Sequence, residues 1–115
     1  MQERRRHIRV ESPVLVEFPH PETMKTERSF TSDISETGMR FPTTVKLTVS
    51  QEIVLTLQLP FLNEPMHATG QVMWVREISR LGAPQYEIGI RFQWVDDPDR
   101  HRLMNHLTTF FPGRK

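Results

Sequence analysis

Hydrophobic and polar residues alternate along several short stretches of this chain, as they do in half-buried β-strands. The first stretch places Val14, Val16 and Phe18 on one face and Leu15 and Glu17 on the other. The same reading predicts further strands over about residues 28–34, 39–41, 53–59, 66–76 and 86–92. Proline, glycine and short polar segments separate them. Six or so short antiparallel strands with turn signals between them are typical of a closed β-barrel.

The last predicted element has a helical period. Asp97-Pro98-Asp99 provides an N-cap, a proline suited to the first helical position and an acid in the first turn. Leu103, Leu107 and either Phe110 or Phe111 then recur at spacings of three and four residues, which gives one apolar stripe. The sequence therefore predicts a mainly β fold with a C-terminal helix over about residues 97–111, covering one mouth or flank of the barrel.

Length and composition narrow the class of protein. With 115 residues, the chain is expected to form one domain over residues 10–115, preceded by a flexible arm over residues 1–9. It contains no cysteine, which excludes disulfides, a thiol nucleophile and cysteine-ligated zinc. No apolar run approaches the roughly 20 residues of a membrane helix, and the N-terminus is charged. We expect a cytoplasmic protein that does not enter the membrane.

Positive charge is concentrated at the start of the chain. Residues 1–10 contain four arginines and one glutamate, a formal charge of +3, whereas the whole chain carries +1. These arginines are Arg4, Arg5, Arg6 and Arg9. They fit a solvated tail, a nucleic-acid-binding arm, or a site for a ligand with phosphates and purines, because a guanidinium can fork onto two oxygens and stack on a base. A nucleic-acid partner is disfavoured, since basic residues are not spread along a face.

A second candidate region is the turn Asp33-Ile34-Ser35-Glu36-Thr37-Gly38. Asp and Ser side chains cap turn amides, and glycine can supply a backbone angle that is strained for other residues. Such a segment is compatible with an ordinary hairpin turn. It can also present a carboxylate, a hydroxyl and backbone amides to one ligand. The sequence predicts the turn and leaves both interpretations open.

Trp74 lies in the apolar run Val72-Met73-Trp74-Val75. Because consecutive positions are apolar, alternation does not show whether the indole is buried in the barrel or exposed as a stacking surface for a base. Catalysis is poorly supported, since the five histidines are scattered and Ser35 has no evident histidine–acid partner. We expect no enzyme activity, no metal site and no cofactor.

Taken together, two motifs make the sequence resemble the PilZ domain family. One is an arginine pair separated by three residues, Arg5 and Arg9, followed by the first strand. The other is Asp/Asn-x-Ser-x-x-Gly, present here as Asp33, Ser35 and Gly38. The order of the remaining strands and the final helix are also similar. The family often has a glycine where this chain has Ser50-Gln51 before the long hairpin strand.

The resemblance implies a six-stranded antiparallel barrel with a terminal helix that binds cyclic di-GMP, a bacterial second messenger. By this resemblance, Arg5 and Arg9 would grip phosphates and contact guanines. Asp33 would accept hydrogen bonds from a guanine or hold an arginine in place. Ser35 would bond the ligand, and Gly38 would permit the turn and a close approach. Arg4, Arg6 and Trp74 are candidates for additional contacts.

The sequence thus predicts a cyclic di-GMP receptor that orders its N-terminal arm on binding and signals through a protein partner. A ligand-independent PilZ-like interaction module is the alternative. The partner, the affinity, the number of bound ligands and the oligomeric state are not predicted.

Overall fold

A computed structural model describes residues 11, 13–60, 63–79 and 81–109 of the chain. Within these residues it contains seven β-strands and one α-helix. They are β1 (Leu15–Pro19), β2 (Thr26–Phe30), β3 (Asp33–Ile34), β4 (Gly38–Thr43), β5 (Glu52–Gln58), β6 (Met66–Glu77), β7 (Tyr86–Val95) and α1 (Asp97–Thr109). The predicted arm over residues 1–9 lies outside the described residues, as do Phe110 and Phe111.

The strands form one antiparallel sheet in the order β2-β1-β5-β6-β7-β4-β3. The sheet curls into a half-barrel whose concave face is lined by the alternating apolar side chains. Val14, Val16 and Phe18 are buried on this face as predicted, and Phe18 packs against Phe41 with their ring centroids 5.5 Å apart. The predicted antiparallel barrel-type sheet with a C-terminal helix is therefore confirmed, with seven strands instead of six and a half-barrel instead of a closed barrel.

The additional strand arises because the single strand predicted over residues 28–34 changes partner in its middle. β2 pairs with β1, whereas β3 pairs with β4 at the opposite edge of the sheet. The amide of Thr31 donates to Val14 O at 3.0 Å, and the next amide, of Ser32, donates to Arg40 O at 2.8 Å. Adjacent residues thus bind the two ends of the curled sheet. One predicted strand becomes two because tertiary pairing requires this bend.

Helix α1 packs against the core where β6 begins and β7 ends. Leu103 and Leu107 are buried in the core, as their spacing predicted. The Asp99 carboxylate accepts a hydrogen bond from the amide of His67 in β6 at 3.1 Å, which holds the first turn of the helix to the sheet. In the part of the chain that the structure describes, no helix is long and apolar enough to cross a membrane.

The loop before β5 carries a residue in a strained conformation. The amide of Gln51 donates to Thr48 O at 3.0 Å, which closes a turn whose third residue, Ser50, has a φ of 80°. Glycine is preferred at this position because a side chain crowds the backbone there. This is the segment in which the family often has a glycine.

We expect Ser50→Gly to raise the free energy of unfolding by about 0.5–1 kcal/mol, because relief of strain exceeds the added entropy of the unfolded chain. Urea titration of the variant beside the parent measures this. Ser79→Gly is the matched control, because Ser79 is exposed and has no positive φ. An unchanged or lowered stability of Ser50→Gly would contradict the expectation.

Burial of His106 in α1 makes stability depend on pH. Desolvation lowers the pKa of the His106 imidazole below its usual value, because the charged form is disfavoured in the core. Below about pH 6.5, His106 becomes protonated in the unfolded chain, whereas the folded chain binds this proton less readily. The free energy of unfolding therefore falls as the pH decreases through this region. Thermal melts between about pH 7.5 and 5 should show this loss. His106→Gln should flatten the dependence, whereas His101→Gln, an exposed position on the same helix, should retain it.

Candidate ligand-binding site

Four residues form a row across the convex face of the sheet. Asp33 in β3 pairs with Arg40 in β4, Arg40 pairs with Gly89 in β7, and Gly89 pairs with Trp74 in β6. Side chains alternate between the two faces of a strand, so paired positions project on the same side. The strand register therefore brings together residues from four strands that are distant in the sequence.

An ion pair occupies one end of this row. Arg40 Nε donates to Asp33 Oδ2 at 2.7 Å, and the two side chains are 39% and 4% exposed. The hydrogen bond and the charge of Asp33 raise the pKa of Arg40, so the guanidinium is permanently charged. The buried carboxylate thus lies beneath an arginine that faces solvent. The bond to Arg40 Nε constrains the orientation of the guanidinium beside the cavity.

A second buried acid supports the pair from β7. Glu87 Oε2 accepts a hydrogen bond from Ser32 Oγ at 3.0 Å and lies 4.0 Å from Arg40 Nε. Two carboxylates therefore flank the base of one guanidinium, a charged arrangement that restricts where the Arg40 side chain can point. Glu87 is a member of this site that the sequence analysis did not identify.

Trp74 occupies the other end of the row and is exposed. A register shift between Val72 and Trp74 inserts Met73, so Val72 and Val75 both face the core while Met73 and Trp74 both face outward. This β-bulge resolves the ambiguity left by the apolar run. The indole is 41% exposed on the convex face.

The indole lies directly over the backbone of Gly89. A Cβ atom added to Gly89 would collide with the Trp74 ring atoms Cε2 and Nε1. Only glycine therefore allows the ring to lie flat on β7. Its outer face is then presented as a plate on which a planar base can stack.

The row borders an open cavity of ≈ 340 Å³. Its lining consists of Asp33, Met39, Arg40, Met73, Trp74, Gly89 and Ile90. A flat aromatic plate at one end and an anchored guanidinium at the other suit a ligand that combines a planar ring with hydrogen-bond acceptors or negative charge.

The turn after β3 is organised by Ser35. Its hydroxyl accepts a hydrogen bond from the amide of Thr37 at 3.2 Å, and its own amide donates to Gly38 O at 2.8 Å. Ser35 is buried, so in this structure it stabilises the turn. A direct bond from Ser35 to a ligand stays a prediction.

Gly38 has a different role from the one suggested by turn chemistry. Its φ is not in the left-handed region, so the expectation of a special backbone angle is wrong. Instead, a Cβ at this position would collide with the carbonyl oxygen of Ile90 in the paired strand β7. Glycine is required because β4 and β7 approach closely here. A close approach of a ligand to Gly38 stays a prediction.

The remaining predicted site residues are Arg4, Arg5, Arg6 and Arg9, and all four lie outside the described residues. Among the residues that the structure does describe, no group of three or more potential metal ligands lies together. The structure thus brings Asp33 and Trp74 to one cavity, places Ser35 and Gly38 in the adjoining turn, and adds Arg40, Glu87, Met73 and Gly89. Arg40 and Gly89 are identified by the register of four paired strands, and the linear sequence does not indicate this register.

Solved structures share this fold. The Bacillus subtilis inhibitor of motility MotI/DgrA superposes with a TM-score of 0.75 at 14% identity, over 99% of this chain and 55% of that one. The PilZ domain of Escherichia coli YcgR with c-di-GMP gives 0.69 at 15% identity, over 95% and 92%. The K. pneumonia MrkH–c-di-GMP complex gives 0.73 at 18%, over 96% and 53%. The chain thus spans about half the length of MotI/DgrA and MrkH.

No curated protein matches the chain by sequence. A model of the PilZ domain, in contrast, matches residues 3–109, which covers the arginine motif, the Asp33–Gly38 turn and the sheet. The chain therefore belongs to the PilZ domain family.

Proposed function

We propose that this protein is a cyclic di-GMP receptor without catalytic activity of its own, acting in the cytoplasm. The observation that carries the proposal is the row from Asp33 through Arg40 and Gly89 to Trp74, which lines one cavity beside the turn of the family motif. Structures of the YcgR PilZ domain and of MrkH that share the fold contain this ligand. Cyclic di-GMP combines two purines with two phosphates, which matches the chemistry of the cavity.

In this proposal a guanine stacks on the exposed face of Trp74. The terminal nitrogens of Arg40 donate to the acceptor edge of that base, the pairing that arginine commonly makes with guanine O6 and N7. Asp33 is 4% exposed and bonded to Arg40, so it acts by orienting the arginine beneath the ligand. Of the two roles considered for Asp33, its bond with Arg40 supports that of holding an arginine in place.

Arg5 and Arg9 supply the phosphate contacts in the proposed complex, with Arg4 and Arg6 beside them. The ligand pins residues 1–9 across the convex face of the barrel, and the pinned arm forms a surface that a protein partner recognises. The receptor thereby converts nucleotide binding into a change of shape at the edge of the site.

Titration calorimetry with cyclic di-GMP, with GTP and with a short single-stranded DNA tests the proposal. We expect saturable binding of cyclic di-GMP and weaker binding of the other two. Arg9→Ala should weaken cyclic di-GMP binding roughly ten- to a hundred-fold, since a charge-assisted hydrogen bond contributes about 1.5–3 kcal/mol. Arg9→Lys should recover little, because an ammonium group neither forks nor stacks.

Hydrogen exchange separates the arm mechanism from its rivals. Amides of residues 1–9 and 30–41 should gain protection when cyclic di-GMP is added to the parent, and Asp33→Ala should lose much of that gain. A nucleic-acid arm would respond to any polyanion with a steep salt dependence. If the parent protein shows neither heat of binding nor added protection at saturating cyclic di-GMP, the receptor proposal is wrong. The ligand-independent interaction module is then the interpretation that remains.

A further inference from the structure

Two large apolar side chains stand exposed on the convex face, away from the cavity. Val54 in β5 is 58% exposed and Trp94 in β7 is 56% exposed. Both pair with Thr69 in the strand between them, β6, so they lie on one row of the sheet. A solvent-exposed tryptophan that shares a row with a second exposed apolar residue is characteristic of an interaction surface, where tryptophan is a frequent energetic hot spot.

The neighbouring row carries opposite charges on the same two outer strands. Glu52 in β5 and Arg91 in β7 both pair with Gln71 in β6, and both are exposed. Four positions thus form a rectangle about β6, with Glu52 and Val54 on one side and Arg91 and Trp94 on the other. We call this set the β5–β7 face.

We propose that the β5–β7 face is a homodimer interface in which two copies pack face to face around a two-fold axis along β6. Rotation about this axis places β5 of one copy opposite β7 of the other. Residues at the same position along the two strands then face each other. Trp94 of one copy then contacts Val54 of the other, and Glu52 contacts Arg91. Each contact forms twice, as in any interface between identical surfaces.

The charges on the β5–β7 face indicate which kind of partner it binds. The face carries one acid and one base, so it has no net charge to attract nucleic acid or a strongly charged peptide. Glu52 lies on β5 and Arg91 on β7, the two strands that flank β6, so the two charges lie on opposite sides of the proposed axis, one strand from it. The surface is therefore complementary to its own copy after the two-fold rotation, and this favours a second copy as the partner.

Sedimentation of the chain over a concentration series, without nucleotide, tests the apolar contact. We expect a monomer–dimer equilibrium that Trp94→Ala shifts by about a hundred-fold or more in the dissociation constant, because the lost hot spot occurs twice. Leu81→Ala is the control, since Leu81 is fully exposed at the tip of the β6–β7 hairpin and outside the face. A parent that is monomeric at every concentration, or a dimer indifferent to Trp94→Ala, would overturn the proposal.

Charge reversal tests the axis itself. Glu52→Arg and Arg91→Glu should each weaken self-association, because each variant brings like charges together twice. An equimolar mixture of the two variants should form a heterodimer in which both contacts are complementary again, and the double variant should recover the homodimer. Circular dichroism verifies that each variant is folded. If the mixture associates no better than its components, the two-fold arrangement is wrong.

Discussion

Asp33→Asn is expected to weaken cyclic di-GMP binding about ten- to a hundred-fold although Asp33 is almost entirely covered by its neighbours. The reason is the 2.7 Å bond from Arg40 Nε, which aligns the guanidinium beside the cavity. Without the negative charge, the arginine is released to solvent and must be reordered when the ligand binds. Calorimetry on the purified variant measures the loss.

A double-mutant cycle shows whether the two side chains act as a unit. In an Arg40→Gln background, Asp33→Asn should change the affinity by no more than about twofold, because the arginine of β4 that Asp33 orients has been removed. Glu17→Gln is the matched control, since it removes another cross-strand arginine–carboxylate pair, Arg28 Nε to Glu17 Oε2 at 2.6 Å, away from the cavity. Equal losses from Asp33→Asn in both backgrounds would show that Asp33 contacts the ligand by itself.

The second large effect concerns folding. Leu107→Ala should lower the free energy of unfolding by about 2–5 kcal/mol, because Leu107 is buried in the core and its truncation leaves a cavity between α1 and the sheet. Guanidinium titration followed by circular dichroism provides the value. Cyclic di-GMP affinity of the folded variant should stay within about twofold of the parent, since Leu107 does not line the cavity.

Thr108→Ala provides the comparison within the same helical turn. Its side chain is exposed, and its hydroxyl donates to Met104 O of the same helix at 2.7 Å, so the change should stay within about 0.5 kcal/mol. If Leu107→Ala and Thr108→Ala unfold at the same denaturant concentration, the apolar stripe of α1 does not contribute to the core.

Much of the fold could be predicted because buried side chains recur along the sequence with the period of the strand or helix that carries them. The alternation at Val14, Val16 and Phe18 and the helical spacing of Leu103 and Leu107 each report which face is removed from water. β7 was predicted to end near residue 92, where the alternation of apolar and polar residues breaks, but the strand continues to Val95. The alternation breaks because a register shift turns Phe92 and Val95 inward while Gln93 and Trp94 face outward.

Part of the candidate site was also evident from the sequence. The spacing of Asp33, Ser35 and Gly38 identified the turn, since turn chemistry depends on residues close together in the chain. The partner of Asp33 was not evident. Arg40 lies only seven positions away, in the strand predicted over residues 39–41, but the sequence did not specify the register that pairs it with Asp33.

The amino-acid sequence alone was enough to predict a mainly β domain with a terminal helix and to indicate the Asp33–Gly38 turn as a candidate site. The exposure of Trp74, the position of Gly89 beneath it and the bond between Arg40 and Asp33 became clear from the three-dimensional fold. The physical reason is that local patterns record burial along one strand. A binding surface on a sheet is instead assembled across strands, by a register that bulges and bends set in three dimensions.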